Sequence, residues 1–202
     1  MSYDFSDLSI LLVDDNQHMR KLIREILFGF NIRQIRSYGG AEEVMQDLDS
    51  HNFDLAIIDW QMQPINGIDL VKWIRTSKKS PDHFMPIIMV TGHSERHRVE
   101  EARDVGVNEF LVKPLSGNSI YGKLSQIVDT PRHFVQVKTY FGPDRRRRND
   151  PELAQENRRR DDPEYGKPRI AEDSQSQALQ NAQALQNAQA PQASQNAQAG
   201  KA

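Results

Sequence analysis

A chain of 202 residues with no cysteine and a formal charge of -2 can bury a sizeable core, but it holds no disulfide, thiolate metal site or cysteine nucleophile. The near-neutral total hides an asymmetry: residues 1–130 carry 14 Lys and Arg against 19 Asp and Glu, and residues 131–202 carry 12 against 9. The acidic first part is a poor surface for nucleic acid. The N-terminal segment MSYDFSDLS is acidic, and the first apolar run, Ile10 to Val13, is too short for a signal peptide or a membrane span, so the expected location is the cytoplasm.

Ile10 to Val13 reads as a buried strand that ends on two carboxylates, Asp14 and Asp15. Asn16 is placed to cap a helix with Met19, Leu22, Ile23, Ile26 and Leu27 inward, and Gly29 is expected to stop it. Ile32 to Tyr38 is a second strand, followed by Gly39-Gly40 and a helix with Ala41, Val44, Met45 and Leu48 inward. A third strand, Leu55 to Ile58, ends at Asp59; Pro64 and Asn66-Gly67 suit a loop, and Leu70, Val71 and Ile74 share a helical face. Met85 to Val90 is a fourth strand that stops at Thr91-Gly92, and Val99, Ala102 and Val105 mark the next helix. The last strand, Glu109 to Val112, ends at Lys113-Pro114 before a helix with Ile120, Leu124, Ile127 and Val128 inward.

Five strands alternating with five helices through short connections predict an α/β domain, a doubly wound parallel sheet with helices on both faces. Ligands of such sheets bind beyond the carboxyl ends of the strands. Those ends carry Asp14, Asp15, Asp59, Thr91 and Lys113. Clustered carboxylates repel by ~4 kcal/mol per pair at ~4 Å unless a cation sits among them, and oxygen-only ligation points to magnesium or manganese. Asp14 and Asp15 would hold the metal with Asp59 and the backbone carbonyl of Gln61. Asp59 can also act as a nucleophile that forms an acyl phosphate. Lys113 supplies a second positive charge, Thr91 can donate its hydroxyl to a phosphoryl oxygen, and Gly92 keeps the approach open. His93 and His97 lie one helical turn apart but have no third ligand nearby in sequence. Trp60 and Trp73 need no role beyond packing.

With the acid pair Asp14-Asp15, the segment DWQMQPINGIDL around Asp59, Thr91-Gly92 and Lys113-Pro114 in this order, the chain resembles the CheY-like response-regulator receiver domains of two-component signalling over residues 8–130. The resemblance implies a flavodoxin-like (βα)5 fold and Mg2+ as cofactor. It also implies phosphorylation of Asp59 by a histidine kinase or histidine phosphotransfer protein. Thr91 and Phe110 would turn inward on phosphorylation and alter a protein-binding surface formed by the fourth helix, fifth strand and fifth helix. Such a protein catalyses only its own phosphoryl transfer and dephosphorylation. One departure stands in the loop: Gln63 follows Met62 where the family usually has proline, and the proline comes at Pro64. Gln61 and His93 flank the route of the hydrolytic water.

After Asp129 the pattern changes. Phe134 to Phe141 is strand-like and stops at Gly142-Pro143-Asp144, ahead of the arginine runs Arg145 to Arg148 and Arg158 to Arg160. Residues 131–173 read equally as a docking segment or as a solvated basic linker, and a strand folded back on the sheet edge is a third reading. Residues 174–202, with QALQNA repeated at Gln177 to Ala188, are expected to be disordered. Nothing after residue 130 has the periodicity of a folded output domain, so output is expected through protein binding, or through onward transfer in a phosphorelay. Nucleic-acid contact through the arginines ranks below both, because Asp144, Asp150, Asp161 and Asp162 dilute their field. A metal-dependent phosphohydrolase is the competing enzyme class, but it needs an acid where this chain has Gln61.

Overall fold

The computed structural model describes residues 3–92, 102–137 and 140–144. Five parallel strands, β1 (Ser9–Val13), β2 (Gln34–Tyr38), β3 (Leu55–Asp59), β4 (Ile87–Thr91) and β5 (Glu109–Val112), form one sheet in the order β2-β1-β3-β4-β5. The helices are α1 (Gln17–Gly29), α2 (Ala41–Asp47, continued by one 3₁₀ turn, Leu48–Ser50), α3 (Gly67–Thr76) and α4 (Gly117–Asp129). α4 is the fifth helix expected from sequence. The expected fourth, here the crossover helix between β4 and β5, is described only at residues 102–104, and Val99, His93 and His97 lie outside the described residues.

Alternation along the strands divides the core in two. Leu11, Val13, Ala56, Ile58, Ile87 and Met89 face α2, α3 and Ala102 of the crossover helix. Ile10, Leu12, Leu55, Ile57, Ile88 and Val90 face α1 and α4. Both faces of β1, β3 and β4 are therefore covered, which is why these strands read as unbroken apolar runs.

Local signals place the helices. Asn16 caps α1, its side-chain oxygen accepting from His18 and Met19 N–H, and Asn66 caps α3 by accepting from Asp69 N–H. Ser116 and Ser119 cap α4 reciprocally. Four expectations need correction. Gly29 is the last residue of α1 and not its stop; the chain turns at Phe30 and at Asn31, whose φ of 65° is tolerated by an Asn side chain. Leu22 is 41% exposed, because the buried stripe of α1 is centred on Ile23 and Leu27. Gly67 opens α3 instead of lying in the loop, and β2 begins at Gln34, two residues after the buried Ile32.

Packed structure continues past residue 130. Phe134–Val137 and Tyr140–Pro143 form an antiparallel hairpin, β6–β7, paired only with itself. The single strand expected from Phe134 to Phe141 is thus two strands, and it does not join the edge of the main sheet. Phe134 is buried against Phe84 and Phe141, with ring centroids 5.3 and 5.7 Å away. Residues 145–202, with both arginine runs and the QALQNA repeats, lie outside the described residues. No described helix is long and apolar enough to cross a membrane.

Candidate functional site

The sheet order reverses direction between β1 and β3, and their register sets Val13 beside Ile58. The next residue on each strand is an aspartate, so Asp14 and Asp59 meet at the switch point beyond the strand ends. β4 delivers Thr91 beside them, and Lys113 N–H donates to the Thr91 carbonyl at 2.8 Å, which carries the lysine over the same edge. The lysine's Nζ lies 2.7 Å from Asp59 Oδ1 and 3.7 Å from Asp14 Oδ2. All five strand-end residues expected from sequence are therefore brought together.

Asp14 and Asp59 are almost fully buried, at 1% and 4% exposure, while Asp15 is exposed. Burial pushes the Asp14 carboxyl up from its ordinary range, against the Asn16 N–H that donates to it and with the help of the nearby Asp59 charge. Asp59 is pushed up by burial as well, and the Lys113 ammonium opposes this. One oxygen from each of Asp14, Asp15 and Asp59 lies within 4.8 Å of the others. Asp14 Oδ2 is buried without a hydrogen-bond partner. A buried acceptor left in that state calls for an ion or water, and three carboxylate oxygens within 4.8 Å of one another form a hard-cation donor set. The residues present fit a divalent ion such as Mg2+.

The loop after β3 shapes the open side. Asp15, Trp60, Gln61, Met62, Gln63 and Asn66 line a pocket of about 530 Å³. Met62 is buried, while Gln61 and Gln63 are exposed, so the residue standing where proline was expected turns toward the pocket. The Gln61 backbone N–H donates to Asp59. Thr91 is buried and Phe110 is half-buried against the α2–α3 core.

Two supports of the site went unread in the sequence. Gly67 is required because a Cβ there would fall 2.1 Å from the Asp59 carbonyl oxygen; its N–H donates to the Trp60 carbonyl at 2.9 Å, which folds the loop back on the strand end. In sequence the Asn66-Gly67 pair suits a loop, and the demand for glycine at 67 comes from the Asp59 carbonyl that the folded chain brings near. Arg20, one turn into α1, donates to the Asp14 carbonyl at 2.5 Å and fixes the backbone between the two acids. Its spacing from Asp14 gives no cue to this.

Residues 10–125 match the family model described as the response regulator receiver domain. The chain is 30% identical to the chemotaxis protein CheY of Pseudomonas aeruginosa over 122 residues, 60% of this chain and 97% of that protein. It is 34% identical to the chemotaxis protein CheY-3 of Vibrio cholerae over 125 residues, 61% and 93% of the two chains. Among solved structures, V. cholerae CheY4 superposes with a TM-score of 0.55 at 24% identity, covering 59% of this chain and 98% of that one. The receiver domain of the P. aeruginosa sensor histidine kinase PA1611, solved with magnesium in its active-site cleft, gives a TM-score of 0.53 at 21% identity over 59% and 95%. A parallel sheet with an acid pair, a buried aspartate and a lysine at its switch point, together with the family match over more than half of the chain, leads to one conclusion: this chain belongs to the response regulator receiver domain family.

Proposed function

We propose that Asp59 is the phosphoacceptor of a two-component or phosphorelay response regulator that acts, in the cytoplasm, by phosphorylation-dependent protein binding. The observation that carries this reading is the contact of 2.7 Å between Lys113 Nζ and the buried Asp59 carboxylate, beside two further acids. Asp14, Asp15 and Asp59, with the Gln61 carbonyl, would hold Mg2+; the PA1611 receiver domain coordinates magnesium in its own active-site cleft. When bound, the ion would supply positive charge beside the phosphoryl oxygens.

Burial disfavours the charged form of Asp59, and the Lys113 ammonium at 2.7 Å opposes this by favouring the carboxylate, the form that attacks. In the transfer, an Asp59 carboxylate oxygen attacks phosphorus, an O–P bond forms, and the P–N bond to the donor's imidazole breaks with its electron pair leaving on nitrogen. Lys113 then moves from the carboxylate to an equatorial phosphoryl oxygen, and the Thr91 hydroxyl donates to another. The donor is a histidine kinase or histidine phosphotransfer protein, docked over the open side lined by Gln61 and Gln63. Thr91 and Phe110 act as the switch toward the surface of crossover helix, β5 and α4, where Val112 stands 46% exposed. Gln61 argues against turnover as a phosphohydrolase, since an amide cannot protonate a leaving group.

The test is transfer from a radiolabelled phosphohistidine donor protein. Label should leave the donor and appear on this chain only with Mg2+, as an alkali-labile adduct that Asp59→Asn abolishes. Label on the Asn variant, or none on the parent while a control receiver accepts it, would contradict the assignment.

A further inference from the structure

The hairpin β6–β7 lies beyond residue 125, where the family match ends, so the receiver resemblance does not account for it. It covers a buried cation. Arg75, at 3% exposure, donates to the carbonyls of His83 and Met85 at 2.7 and 2.8 Å, to the Gly106 carbonyl at 3.1 and 2.9 Å, and to Asn108 Oδ1 at 3.1 Å. All these acceptors are neutral, and the Phe134 ring closes the last side, 5.0 Å from the guanidinium carbon. Burial lowers the guanidinium pKa to about 9, which leaves it charged at neutral pH.

The acceptors have a pattern. His83 and Met85 lead into β4, and Gly106 and Asn108 lead into β5. Arg75 thus grips the starts of the two strands whose far ends carry Thr91 and Lys113. The hairpin presses on the same junction: Gly106 has a φ of 98°, and a Cβ on Gly142 would come within 2.7 Å of Gly106 Cα. Each hairpin strand has four residues and pairs only with the other, so its order depends on this seat.

We propose that the β6–β7 hairpin is a latch on the base of β4 and β5 that favours the unphosphorylated arrangement, in which Lys113 engages Asp59, and that its release and occupation of the Asp59 site promote each other. This rests on the phosphoacceptor reading of Asp59. A shift of β4 and β5 along their length, drawing Thr91 and Lys113 onto a phosphoryl group, carries the strand starts against Arg75 and Gly142, and reciprocity follows from linkage.

The test uses the full chain and two variants that unseat the hairpin differently, Phe134→Ala and Gly142→Val. Mg2+ with beryllofluoride, a non-covalent phosphoryl stand-in, is titrated into each by calorimetry. Amide exchange verifies that β1 and β3 stay protected while the hairpin opens. Both variants should bind beryllofluoride about fivefold or more tightly than the parent, the lower end of ordinary coupling between sites. In the parent, beryllofluoride should accelerate exchange of the hairpin amides. Equal affinity in parent and variants with the hairpin open overturns the latch and leaves the Asp59 reading standing. Absence of beryllofluoride binding in all three folded chains removes that reading, and the latch with it.

Discussion

Replacing Asp14 by Asn tests the electrostatics of the site without disturbing its shape, since Asn keeps the oxygen that accepts the Asn16 N–H. Carboxylate oxygens within 4.8 Å repel by about 3.5 kcal/mol per pair at an effective dielectric near 20. Asp14 faces two such partners, Asp59 and Asp15, and one attraction, Lys113 at 3.7 Å, worth about 4.5 kcal/mol on the same scale. Roughly 2.5 kcal/mol of net repulsion remains, and solvent screening at the exposed Asp15 reduces it to about 1–2 kcal/mol. Without divalent ions, Asp14→Asn should therefore raise the melting temperature, by roughly 3–10 °C for a folded body of this size. With Mg2+ at a hundredfold excess over its dissociation constant, the parent gains about 2.7 kcal/mol and the variant little. The order of the two melting temperatures should then invert. Differential scanning fluorimetry with EDTA and with Mg2+ reads both. A variant less stable than the parent in EDTA, or an equal Mg2+ shift in both proteins, would refute the reasoning.

Acid should compete with the metal. Asp14 and Asp59 both titrate above the ordinary carboxylate value of 3.8, so their protonation stabilises the metal-free fold. That contribution is complete below 3.8 and is lost as pH rises through the raised values. The Mg2+-induced rise in melting temperature should accordingly shrink as pH falls through that window; a shift that persists undiminished to pH 3.8 would show that neither carboxylate binds the ion. Gly67→Ala drives a methyl group into the Asp59 carbonyl and should cost about 2–3 kcal/mol in urea unfolding, with loss of the Mg2+ response. A change below ~0.5 kcal/mol would mean the loop relaxes freely. A double-mutant cycle of Lys113→Met and Asp59→Asn should return a coupling of about 1.5–3 kcal/mol, as for a buried charged hydrogen bond. Additive effects would place the ammonium elsewhere in solution.

The sheet and its site were legible because the signals were local and repeated. β1 and β3 are apolar runs that stop at an acid, and the register of a parallel sheet then sets those acids side by side. Asn16 announced α1 through a side-chain oxygen at the right position. What escaped depended on contacts distant in sequence. Gly67 is required by the Asp59 carbonyl, which only the folded loop brings near. Arg75 sat in an amphipathic helix as one more cation, and nothing nearby announced that its acceptors would come from residues 83–108. The sequence from Phe134 to Phe141 suggests one strand because it holds no turn-forming pair such as Asn-Gly. Its aromatic residues fit a partner's sheet edge as well as they fit Phe84.

The central claim is that Asp59 takes a phosphoryl group in a metal-dependent reaction. Intact-mass analysis after incubation with acetyl phosphate, with Mg2+ and with EDTA, on the parent and on Asp59→Asn, tests it most directly. The account predicts a gain of one phosphoryl group on the parent with Mg2+ and no gain in the other three samples. An adduct that survives Asp59→Asn, or a folded, Mg2+-binding parent that gains none, would contradict it.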